Sequence, residues 1–213
     1  MGIREEIVRA FSKTPRPDDS ELTSCPCEEC RGVIHSFLGK RWSQLQTAGI
    51  EDSGSMGMLS PRGFQYFLPG LLLLWIDHPD DYPSMIDAIV ARITFSDQTN
   101  VGRITISEEA KTRKRESVQK VIQQLGTRQR SVVADFLVSL ESTHPHVPEV
   151  WKSAISNLRD GQARPYSQST VDSWLAENYG PRFQSHWLAK SPIARSDGQA
   201  DGDSEPPLTR KRR

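Results

Sequence analysis

Cysteine is scarce and unevenly placed: three residues in a chain of 213, Cys25, Cys27 and Cys30, all in one short stretch. A disulfide framework uses paired cysteines spread along a chain, so none is expected, and a reducing cytoplasm is the default setting. Net charge is missing too, because 27 Lys and Arg balance 27 Asp and Glu. No overall field therefore drives the chain onto nucleic acid or acidic lipid. The opening MGIREEIVRAF has acidic residues and no apolar signal core, and Glu6 stands where myristoylation wants Ser or Thr. No secretory leader or N-terminal myristoyl group is expected. Nucleophile elbows, H-E-x-x-H pairs, phosphate-cradling glycine loops and dinucleotide fingerprints are all absent, which leaves no catalytic motif to build on.

Apolar residues are also lean, at 36%, so part of the chain is expected to lack a packed fold. Those that are present concentrate in Ser60 to Ile76, SPRGFQYFLPGLLLLWI. Ser60 is placed to cap a helix, and Pro61 takes the first helical position, where a missing N–H costs nothing. Phe64, Phe67, Leu68, Leu71, Leu72 and Trp75 recur at the three-and-four spacing of one helical face. Leu73, Leu74 and Ile76 fill much of the rest, which predicts a helix wrapped by others. A membrane span needs ~20 apolar residues, and Arg62, Gln65 and Asp77 interrupt this run. Pro69 is expected to kink the helix.

Around this helix the same periodicity predicts others. Ile3, Ile7, Val8 and Phe11 form a first one, stopped by Pro15 and Pro17, and Cys30, Val33, Ile34, Phe37 and Leu38 a second, stopped by Gly39. Trp42 and Leu45 suit a short turn, and 47–57 reads as loop. Tyr82, Met85, Ile86, Ile89, Val90 and Ile93 make the next stripe. Ser107 caps a helix with Val118, Val121, Ile122 and Leu125, which Gly126 is expected to end before Thr127 starts another. Further helices follow around Trp151 and Trp174. Residues 101–106 favour a short strand with no evident partner. The expectation is an all-α domain of about six to eight helices around 60–76, with a C-terminal helical extension over 143–189. The 190–213 tail is rich in Pro, Gly, Ser and charge, and is expected to be disordered.

Two clusters carry candidate chemistry. Cys25, Cys27 and Cys30 offer three thiols to a zinc ion if a fourth donor comes from His35, His78, His144 or His146. His35, five residues past Cys30, lies off that cysteine's helical face. Cys27-Glu-Glu-Cys30 at a helix start also suits redox chemistry, although Glu28 and Glu29 disfavour a thiolate. The plainer alternative makes Cys30 a core residue and the other two surface or half-buried thiols. Lys111, Arg113, Lys114 and Arg115 form a basic run of the kind that contacts phosphates. Glu108, Glu109 and Glu116 partly neutralise it and no aromatics stand by for base stacking, so a solvated helix face accounts for it better. Cations near a helix start oppose its dipole, which suggests that the helix begins later.

Three stretches, CEECRGVIHSFLGKRWSQL, LSPRGFQYFLPGLLLLWIDHP and TRQRSVVADFLVSLES, together resemble an uncharacterised family of bacterial domains of unknown function. The resemblance covers about residues 3–142. It implies a helical domain in a bacterial cytoplasm, with no assigned reaction and no catalytic residues to carry over. The functional expectation is a protein-interaction module without catalysis, its protein partner unspecified. The alternatives are a zinc-stabilised or thiol-dependent domain centred on CPCEEC and, more remotely, a nucleic-acid-associated protein using the basic run and tail.

Overall fold

The computed structural model describes residues 2–25, 27–45, 54–101, 104–141, 143 and 148–179. Among them are nine α-helices: α1 (Ile3–Phe11), α2 (Glu28–Phe37), α3 (Gly54–Met58), α4 (Pro61–Asp77), α5 (Pro83–Ile93), α6 (Glu108–Gln124), α7 (Thr127–Leu140), α8 (Pro148–Asp160) and α9 (Gln168–Tyr179). The fold is all-α. The expected tail, 190–213, lies outside the described residues.

The central helix is α4. Ser60 caps it by accepting a hydrogen bond from the Gly63 N–H at 3.0 Å, and its hydroxyl donates onward to the Glu21 carbonyl. Phe64, Phe67, Leu68, Leu71 and Leu72 are fully buried, each worth about 1.5–3 kcal/mol relative to exposure. Helices α1, α5 and α6 pack around α4, together with a 3-10 turn at Trp42–Gln44. Pro69 sits inside α4, buried, and the helix continues past it to Asp77.

The core does not stop at α7. Trp151, Ala154, Ile155 and Leu158 of α8 belong to the same apolar cluster as α1, α4, α5 and α7. The Trp151 indole N–H donates to the Leu137 carbonyl at 3.0 Å. Asn157, fully buried, ties α8 to the end of α5: its amide donates to the carbonyls of Ile93 and Arg164 and accepts from the Arg164 N–H.

Several local expectations are revised. The stretch read as loop before α4 contains α3, whose Met56 is buried. Gly39 and Gly161 do take left-handed conformations after α2 and α8, at φ 67° and 71°. Gly126 does not. Its φ of −63° makes it the entry to α7, where its N–H donates to Gln129 Oε1. Helix α6 starts at Glu108 despite the basic run, because Ser107 caps it and Glu108 and Glu109 occupy the first turn. The strand at 101–106 is a two-residue antiparallel ladder, Asn100–Val101 (β1) against Ile104–Thr105 (β2), folded on its own chain. So short a hairpin adds no layer to the fold. Val8 and Leu38, expected inside, are 40% and 45% exposed.

Candidate metal centre and its cationic cleft

Cys25 and Cys27 sit in the turn that leads into α2, and Cys30 in the first turn of that helix. The turn brings all three sulfurs within 4.8 Å of one another. Exposure falls along the series: Cys25 is exposed, Cys27 intermediate and Cys30 buried. Thr23 Oγ1 donates to the Cys25 carbonyl at 3.1 Å, and the Cys27 N–H points at Cys25 Sγ at 3.3 Å. The Cys30 thiol is pushed up to about 12, first by hydrogen bonding with Cys27, then by burial and by Cys25. Cys30, buried beside two other thiols, therefore resists losing its proton.

Zinc bonded to thiolates at ~2.3 Å in a tetrahedron spaces its sulfurs by ~3.8 Å. A contraction of about 1 Å or less therefore brings this cluster to metal-binding geometry. His35 is exposed on α2 and does not join the three sulfurs. His78 lies at the far end of α4, near Asp81. His144 and His146 lie outside the described residues. Among the described residues the cluster thus offers three ligands, and a zinc held by three protein donors keeps a position for a fourth.

Cys25 and Cys30 also line a cleft of about 440 Å³ that runs from the cysteine turn past Leu59 to α5 and α6. Its cations are Arg92, Arg113 and Lys120, and its carboxylate is Glu116. Arg92 is the residue that sequence reasoning missed. It follows Ile89 by three positions within an apolar stripe, which turns it towards the interior, and a lone arginine in such a stripe was the available signal. One of its terminal nitrogens donates to the Leu59 carbonyl at 2.7 Å, and the guanidinium lies 5.5 Å from the Phe64 ring centroid. Its Nε is buried without a hydrogen-bond partner among the described residues. Burial lowers the Arg92 pKa.

The basic run is divided by helical geometry. Arg113, Glu116, Ser117 and Lys120 follow the three-and-four spacing and face the cleft together. Lys111 and Arg115, four residues apart, fall on another side of α6. Lys111 pairs with Glu108 at 2.7 Å and Arg113 with Glu109 at 3.8 Å. Lys114 keeps contact with solvent, yet surrounding protein and then the Arg92 charge lower its pKa. The four residues do not form one continuous phosphate-facing surface.

Fold and site together define a class: an all-α domain with three converging thiols beside a cation-lined cleft. No family model, curated protein or solved structure matches the chain. Among the described residues no helix is long and apolar enough to cross a membrane.

Proposed function

We propose that this protein is a non-catalytic helical domain whose CPCEEC turn holds a zinc-class cation through Cys25, Cys27 and Cys30. The observation behind this reading is the convergence of the three sulfurs within 4.8 Å. Soft thiolate donors select zinc over the hard cations that prefer oxygen. The ion would join the turn to the first turn of α2, so its role is to shape a surface, with no reaction assigned to it. Protein–protein contact is the work such a surface would do, in the bacterial cytoplasm that the family resemblance implies.

Native mass spectrometry of protein purified in reducing, chelator-free buffer tests this directly. One zinc per chain is expected, lost on chelation and absent from the double variant Cys25→Ser, Cys27→Ser. Both changes fall outside the buried core, so the variant is expected to fold. A bare wild-type chain that also fails to take up added zinc retires the proposal.

A further inference from the structure

We propose that the cleft beside the cysteine turn is an oxyanion-binding site, with Arg92 at its centre and Arg113 and Lys120 on its rim. The ligand class is a small molecule bearing a phosphate or carboxylate group. This site stands on its own residues and does not require the metal.

The argument begins with an uncompensated charge. None of the ion pairs among the described residues involves Arg92, although its Nε is buried. A guanidinium withdrawn from water is costly unless a negative group or a full set of acceptors replaces the water. The Leu59 carbonyl and the Phe64 ring answer part of that need, and both are neutral. The remainder of the cleft adds to the positive side, where Arg113 and Lys120 outnumber Glu116. Among the described residues Arg113 pairs only with Glu109, at 3.8 Å and with 69% side-chain exposure, so it remains available to a ligand. Ser24 and Ser117 line the same cleft.

The planar fork of arginine matches two oxygens of a carboxylate or phosphate, and lysine adds a point charge. A cleft of about 440 Å³ admits a small molecule rather than a bare ion alone. Its position against Cys25 and Cys30 would place the bound anion next to the metal centre. A zinc ion would strengthen its binding without being needed for it.

The test uses the full chain at low ionic strength, where screening is weak. Inorganic phosphate and, separately, acetate are titrated while the arginine Nε–H signals are followed by NMR, in zinc-loaded and in chelated protein. A saturable shift of the Arg92 signal in chelated protein is expected. It should weaken by about threefold or more in each of Arg113→Ala and Lys120→Ala, the scale of one partly exposed charge pair. The rim side chains leave the core intact, so these variants report binding rather than folding. Whichever anion saturates first identifies the headgroup chemistry. Linear, non-saturating shifts with both anions overturn the proposal whatever the metal does. Saturation that needs zinc and ignores both rim changes also overturns it, since the anion would then be a ligand of the metal alone.

Discussion

Gly70 of α4 lies directly against the backbone carbonyl of Trp42. A β-carbon at this position would overlap that oxygen and come 2.8 Å from Leu45 Cδ1. The 3-10 turn at Trp42–Gln44 can seat on α4 only because position 70 has no side chain. Gly70→Ala gains helix propensity of about 1 kcal/mol but must push the turn away. The net expectation is a loss of about 2–4 kcal/mol. Urea unfolding reads it, and a variant as stable as the parent would show that the turn yields freely.

Asn157 makes a second, separable prediction. Replacing it with Ala deletes three hydrogen bonds at a fully buried site and strands the Ile93 and Arg164 backbone groups. A cost of about 2–4 kcal/mol follows. Hydrogen exchange should report earlier opening of the Arg164 amide than of amides in α4, because Asn157 is that amide's acceptor. Equal acceleration at both places would point to a global effect instead.

Arg4 and Asp77 form a two-pronged pair between α1 and the end of α4, at 2.5 and 3.1 Å. The hydrogen bond from Arg4 holds the Asp77 carboxyl below its ordinary value. A depressed carboxylate contributes stability that is fully present above its unfolded pKa of about 4 and lost as pH falls through the lower folded value. Both side chains are well exposed, at 49% and 44%, so the effect is small and screened by salt. Asp77→Asn should lower the thermal midpoint slightly at pH 7 in low salt. The gap between variant and parent should close in acid. A gap that persists at pH 2 would assign it to something other than this pair.

Thiol reactivity should follow burial. In chelated, reduced protein, iodoacetamide is expected to reach Cys25 first and Cys30 last, because Cys25 is exposed and Cys30 is 6% exposed with its thiol pushed up to about 12. Peptide mass spectrometry after timed quenching gives the order. Zinc should protect all three together. Protection of Cys30 alone would deny the other two a share in the ion.

Much of the helical framework is legible in the sequence. Ser60 and Pro61 announce the start of α4, and its apolar spacing places it at the centre, because caps and periodicity are local properties of a few consecutive residues. Gly161 ends α8 for the same reason. The cysteine cluster was visible as a spacing, but only the turn into α2 decided that the three sulfurs converge and that His35 stays apart. The long-range features left no local trace. Gly126 reads as a helix stop, yet it opens α7, because the chain continues into another helix without a left-handed turn. Arg92 looks like one more charge in a balanced sequence. Its burial against Phe64 and Leu59, and its place in one cleft with Cys25, Cys30 and α6, arise from packing between elements far apart in the chain. Sequence alone determined the helices and where most of them begin and end, since backbone hydrogen bonding and apolar periodicity act over a few residues. Tertiary structure alone decided which charges lose water and which donors meet, since desolvation depends on neighbours that the order of residues does not name.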